Sequence, residues 1–188
     1  ITEESKAIYI SIKENDRELR DKYRGRRTIT SGCGKNTSFY NIIDSKTSSK
    51  ISKKLDISLT NVIQLMKEFN NLSILFKETG GVHSCALCSV EKILFYAEDI
   101  GRHNALDKVL GSGHLEGIEF DDKLILTTGR ISSEILIKAA KRGIPIVISR
   151  SAPTSLAIDL AKELGITVIG FARGDKMNIY NNFPSIIF

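Results

Sequence analysis

The stretch TITSGCGKNTS, residues 28–38, holds one cysteine, Cys33, between two glycines and among small polar residues. Core cysteines sit among apolar neighbours, and this one does not. The flanking glycines remove side-chain bulk from an approaching partner. Lys22, Arg24, Arg26, Arg27 and Lys35 lie nearby in sequence, and positive charge favours the thiolate, the nucleophilic form of the side chain. A thiolate on an accessible loop suits attack on sulfur carried by another protein's cysteine, or its onward transfer. The competing reading is an incidental surface cysteine.

The chain has three cysteines. An odd count argues against a disulfide framework and for reduced thiols in a cytoplasmic setting. The other two, Cys85 and Cys88, form CALC. A structural zinc site needs four ligands, no second such pair exists, and only His83, His103 and His114 could supplement this one. No metal is therefore expected. The apolar filling and helical look of CALC mark packed cysteines. A zinc deaminase would need H-x-E and P-C-x-x-C segments, and no glutamate follows His83 at that spacing.

Four apolar runs are each followed by polar and cationic residues. After 93–97 come Glu98, Asp99, Arg102, His103 and Asn104, and after 124–128 come Gly129, Arg130, Ser132, Ser133 and Glu134. After 145–149 come Arg150, Ser151 and Thr154, and after 166–170 come Phe171, Arg173, Gly174, Asp175 and Lys176. Each set contains an arginine, whose planar fork matches phosphate oxygens. Two sets run into serine-bearing helix starts, where free N–H groups and a partial positive charge favour anions. Singly, such a serine is a cap and such an arginine a solvated charge. Their recurrence points to a phosphorylated, nucleotide-containing ligand, with Phe171 available to stack on a flat ring. His103 and Asp107, four apart, are acid–base candidates on one helix face, or else a buried ion pair or cap that holds the loop. His83 follows a Gly-Gly turn in TGGVH.

A strand–helix alternation positions these residues. KAIYISIK alternates Ile8, Ile10 and Ile12 with polar residues and predicts a half-buried strand. Over 58–71, Val62, Leu65, Met66 and Phe69 fall at helical spacing, with Ser58 or Thr60 as cap. Then follow a strand over 92–99, a helix over 104–113 ended by glycine and a strand over 123–129. A serine-capped helix over 132–143, a strand over 144–150, a capped helix over 154–165 and a strand over 166–174 complete the series. Such alternation with short connections implies a mostly parallel sheet covered on both faces. Ligands bind these sheets at the carboxyl ends of the strands, where all four polar sets fall. The expected organisation is a small β-rich portion over 1–32, a flexible cysteine loop and linker over 33–57, and an α/β domain over 58–188.

Composition sets further bounds. The chain has 188 residues, 41% of them hydrophobic and 26% charged. No apolar run approaches the roughly 18 residues of a membrane helix, so no membrane association is expected. The polar first segment ITEESKAIYISIK lacks signal-peptide character, although the chain begins at Ile1 rather than Met. The net charge of +5 suits an anionic partner. Its basic residues are scattered apart from KYRGRR over 22–27, and no recognised nucleic-acid module is present, so nucleic acid is not the expected partner.

The strings EDIGRHNALDKVLG, TTGRISSEILIKAAKRGIPIVISRSAPTSLAIDLAKELGITVIGFARG and TGGVHSCAL resemble the formate dehydrogenase accessory sulfurtransferase family, FdhD/NarQ. The resemblance runs from about Ile29 to Tyr180. It implies a three-layer α/β/α sandwich of the cytidine-deaminase-like type without a deaminase zinc site, and an N-terminal portion shortened here. It implies a cytoplasmic sulfurtransferase that accepts persulfide sulfur from a cysteine desulfurase. That sulfur passes to the molybdenum cofactor, bis(molybdopterin guanine dinucleotide), before the cofactor enters formate dehydrogenase. The family's persulfide cysteine falls on Cys33. Its cofactor-binding stretch falls on Phe171, Ala172, Arg173, Gly174, Asp175 and Lys176. The loops with Gly129, Arg130, Ser132 and Ser133, and with Arg150, Ser151 and Thr154, share that ligand face, together with His83, Arg102 and His103. Guanine nucleotide is the expected surrogate ligand, and a two-fold dimer would suit so large a cofactor. Many members carry a second cysteine three residues after the first, where this chain has Asn36, which leaves single-cysteine transfer from Cys33. The alternatives are a cofactor- or nucleotide-binding chaperone without sulfur transfer, and a nucleic-acid-binding protein.

Overall fold

The computed structural model describes residues 2–4, 7–9, 50–183 and 186–187. Cys33, with its glycines and basic neighbours, lies outside the described residues, as do Asn36, Ile10 and Ile12. The chain divides into two compact units, residues 1–44 and 45–188. In the first, β1 (Thr2–Glu4) and β2 (Ala7–Tyr9) pair antiparallel, with Thr2 opposite Tyr9. The expected strand over 6–13 is described only in this part.

The second unit begins its regular structure at β3 (Ile57–Ser58), which pairs parallel with β10 (Ile186–Ile187). Ser58 ends β3 and caps α1 (Leu59–Leu72), its hydroxyl accepting from the Asn61 amide at 3.1 Å. Such a bond satisfies one of the free N–H groups of the first turn. The buried stripe of α1 is Val62, Leu65, Met66 and Phe69, as the spacing predicts. Each such side chain stabilises the fold by about 1.5–3 kcal/mol through burial. A short α2 (Ile74–Thr79) follows.

A six-stranded sheet occupies the centre, in the order β5 (Ile93–Asp99), β4 (His83–Cys88), β6 (Leu124–Thr127), β7 (Ile146–Ser149), β8 (Thr167–Arg173) and β9 (Lys176–Asn181). The pairs β6–β7 and β7–β8 are parallel, while β4 runs antiparallel to both neighbours and β9 antiparallel to β8. The sheet is therefore mixed: four strands share one direction, and β4 and β9 oppose them. The expectation of a mostly parallel sheet holds for the β6–β7–β8 centre, where β6 and β7 are buried throughout, as strands covered on both faces must be.

Between β5 and β8 the chain always advances in one direction across the sheet. Right-handed crossovers therefore place the connecting helices α3 (Arg102–Leu115), α4 (Ser133–Lys141) and α5 (Ser155–Leu164) on one face. The opposite face receives α1, whose stripe packs with Ala86, Cys88, Leu124, Leu126, Ile146, Ile148 and Ile169. The result is helix, sheet and helix in three layers.

Three local expectations need correction. HSCALC is not helical but is strand β4, buried from Ser84 to Cys88. Successive side chains of a strand face opposite ways, so Cys88 joins the α1-side core while Cys85 points to the other layer. The pair cannot converge on one ion. The helix over 104–113 does not stop at glycine but continues to Leu115. Gly113 lies inside it because Leu87 and Phe120 pack directly against its Cα. Finally, Ser132 stands at the N-cap of α4, yet its hydroxyl makes no capping bond. Thr154 does cap α5, accepting from the Ala157 amide at 3.2 Å.

Candidate functional site

Because β5, β6, β7 and β8 share one direction, their carboxyl ends lie along one edge of the sheet. The antiparallel β4 and β9 bring their first residues there, with His83 opposite Asp99 and Lys176 opposite Arg173. The four polar sets and His83 therefore meet at one edge. Along it they form two sectors, joined by a seam of interlocked loops.

In the first sector, His83 lies near Arg102 and Arg130. Burial, reinforced by these two cations, pushes the His83 pKa below its ordinary value, so the imidazole is neutral at pH 7 and the arginines carry the charge. Arg102 opens α3, with its stem folded against Gly129. A β-carbon at Gly129 would lie 2.8 Å from the Arg102 Cβ, which makes glycine a packing requirement there. His103 Nε2 lies 2.9 Å from Glu134 Oε2, without the alignment of a hydrogen bond. One turn on, Asp107 meets Lys138 at 2.5 Å. The two residues of the α3 face thus reach two residues four apart on α4, which answers the ion-pair alternative for both. Burial, then Arg102, lowers the His103 pKa, and Glu134 opposes the shift.

Arg102 Nε, His103 Nε2 and Ser132 Oγ are buried atoms without a hydrogen-bond partner among the described residues. Buried polar atoms normally find one. Two of the three are obligatory or ready donors, so the chemistry of this sector fits an anionic group.

The seam is a ladder between loops. Ser149 Oγ donates to the Gly129 oxygen at 2.7 Å, and Ser151 Oγ to the Thr128 oxygen at 2.8 Å. The Thr154 amide donates to Ile131, and the Phe171 amide to Ser151. Arg173 Nε donates to the Arg150 carbonyl at 3.0 Å. The hydroxyls of Ser151 and Thr154 are thus taken up by the backbone. The arginine side chains are what this seam offers outward.

The second sector is a cleft of about 640 Å³ lined by Leu59, Phe171, Arg173, Asp175, Lys176, Met177, Asn178 and Ile179. Phe171 has φ 52° and is the one non-glycine residue with positive φ among the described residues. Such a backbone costs on the order of 1–2 kcal/mol for a side-chain-bearing residue. Strain of this kind persists where the surroundings enforce it, often at ligand sites. Its ring is 40% exposed. Gly174, at φ 57°, makes the tight turn between Arg173 and Lys176.

The structure brings Phe171, Arg173, Asp175 and Lys176 together around the cleft, and His83, Arg102, His103, Gly129, Arg130, Ser132 and Ser133 around the first sector. Arg150, Ser151 and Thr154 lie between them. Ala172 points away from the ligand face: it is 1% exposed and belongs to the α1-side core. Leu59, Met177, Asn178 and Ile179 were not expected at the site. A Gly-Asp turn followed by alternating Met177 and Ile179 was the available hairpin signal.

The FdhD/NarQ family model matches residues 1–187. The sulfur carrier protein FdhD of Listeria innocua is 50% identical over 167 residues, covering 88% of this chain and 64% of its own length. That of Bacillus subtilis is 47% identical over 175 residues, covering 93% of this chain and 66% of its own. The chain thus spans slightly less than two thirds of these relatives. A crystal structure described as that of a formate dehydrogenase accessory protein, from Desulfotalea psychrophila, superposes with a TM-score of 0.70 at 33% identity. That match covers 78% of this chain and 63% of the other.

Proposed function

Because the chain belongs to the FdhD/NarQ family, we propose that it is a cytoplasmic sulfur carrier in formate dehydrogenase maturation. Cys33 is the carrying residue. Its thiolate attacks the outer sulfur of a persulfide on a cysteine desulfurase. The donor S–S bond breaks, the donor cysteine leaves as a thiolate, and Cys33 holds the new persulfide. No external electrons are needed for that exchange. Passing the outer sulfur on as sulfide is a two-electron reduction. A dithiol reductant supplies the pair and becomes a disulfide, and Cys33 returns as a thiolate.

The recipient is the molybdenum cofactor in its bis(molybdopterin guanine dinucleotide) form, bound as cargo at the strand-end edge. Arg102, Arg130, Arg150 and Arg173 neutralise its phosphates, the Ser132 hydroxyl donates to a phosphate oxygen, and Phe171 stacks on a guanine ring. Two sectors on one edge suit a ligand with two nucleotide ends.

The observation that carries the sulfur chemistry is the condition of the other two thiols. Cys85 and Cys88 are both 0% exposed. Burial pushes both thiols far above the usual thiol range, which keeps them protonated and inert. Of three cysteines in the sequence, Cys33 is the one left for exchange. The test is Cys33→Ser in cells that depend on formate dehydrogenase. Loss of formate dehydrogenase activity with normal cofactor binding is expected. Intact activity would reduce the protein to a cofactor-binding chaperone.

A further inference from the structure

Arg150 is anchored at three points. Its amide donates to the Thr127 oxygen at 3.1 Å, its carbonyl accepts from Arg173 Nε, and its guanidinium carbon lies 5.9 Å from the centre of the Phe76 ring. Phe76 belongs to α2, 74 residues earlier in the chain and outside both sectors of the edge. The backbone of Phe76 is itself fixed from the interior. Its amide donates to Glu98 Oε1 at 3.3 Å, and Ser84 Oγ donates to the same oxygen at 3.3 Å. Ser84 Oγ lies 3.0 Å from Ser73 Oγ, and the Tyr96 hydroxyl lies 3.1 Å from Ser84 Oγ and 3.2 Å from Ser73 Oγ, its single proton serving one of the two at a time. Ser73 and Ser84 are buried, at 1% and 0% exposure. The Tyr96 ring meets Phe69 of α1 edge-on. Nothing in the sulfur chemistry or the cofactor contacts uses this network.

We propose that Phe76, held through Glu98, is a positioning residue for phosphate recognition: its ring is the platform that holds the Arg150 guanidinium at the strand-end edge. A guanidinium over an aromatic face is attracted by the ring quadrupole and is restricted in orientation. A long side chain held in place in this way loses less conformational freedom when it binds phosphate. Glu98 acts one step further back, by fixing the third residue of α2. The inference rests on the reading of Arg150 as a phosphate ligand.

The experiment measures guanosine diphosphate binding by calorimetry for the unmodified protein, Phe76→Leu, Phe76→Tyr and Arg150→Met, and for Phe76→Leu combined with Arg150→Met. Phe76→Leu keeps an apolar side chain and is expected to weaken binding roughly threefold to tenfold. Phe76→Tyr, which restores the ring, is expected to return it to within about twofold. In the Arg150→Met background the Phe76 change is expected to cost nothing more, which a purely structural role would not produce. Unchanged binding in Phe76→Leu, failure of the tyrosine to rescue, or an equal loss with and without Arg150 each overturns the inference while leaving the phosphate site intact. Absence of nucleotide binding by the unmodified protein overturns both.

Discussion

Arg173 donates from Nε to the main-chain oxygen of Arg150 at 3.0 Å. The side chain of one strand-end arginine is thereby tied to the backbone of the neighbouring strand end. Binding to backbone rather than to carboxylate leaves the outer guanidinium nitrogens of Arg173 available. Lysine keeps the charge but has no equivalent of Nε. Arg173→Lys is expected to weaken guanosine diphosphate binding roughly threefold to tenfold, at an exposed site where stability changes little. Arg142, stacked on Phe120 beyond the far end of α4, supplies the control, and Arg142→Ala should bind as the unmodified protein does. Titration calorimetry on both variants checks this.

Phe171 holds a left-handed backbone at φ 52°, close to the 57° of the turn glycine Gly174 and strained for a residue that bears a side chain. Phe171→Gly relieves that strain and loses a ring that is 40% exposed. Denaturant unfolding should place its stability within about 1 kcal/mol of the unmodified protein, or above it. Nucleotide affinity should fall by about tenfold, as stacking is lost. A loss of stability of several kcal/mol with full affinity would show that Phe171 serves packing.

The alternation from β5 to β8 was legible in the sequence because α4 and α5 carry apolar stripes, Thr154 caps α5, glycine follows α5, and the central strands are short apolar runs. The same legibility located the four polar sets, since each follows a strand that could be recognised. HSCALC was not legible as a strand. It is buried on both faces from Ser84 onward, so it shows no alternation, and a short apolar run does not distinguish strand from helix. The antiparallel direction of β4, which brings His83 to the edge, depends on pairing with β5 and β6 and has no local signal. The Phe76 platform is similarly hidden, because a contact between residues 76 and 150 leaves no periodicity to read. The division of the edge into two sectors depends on the strand order, which was likewise beyond local pattern.

Both His83 and His103 have pKa values pushed below the ordinary 6.5, by burial first and by the neighbouring arginines next. The unfolded chain therefore binds protons on these groups more readily than the folded protein. Stability from this source is complete above about 6.5 and is lost as pH falls below it through the folded values. Urea unfolding midpoints should drop between pH 7.5 and 5.5. His83→Gln and His103→Gln should each flatten that drop. Asp99, held low by Lys108 and by the Gly101 amide, acts in a separate window, losing its contribution only below the ordinary carboxylate value of 3.8.

Mass analysis of the intact protein after incubation with a cysteine desulfurase and free cysteine tests sulfur carriage most directly. The protein should gain one sulfur atom, peptide mapping should locate it on Cys33, and Cys33→Ser should gain none. Sulfur on Cys85 or Cys88, or an undiminished gain in Cys33→Ser, would contradict the assignment of the carrier.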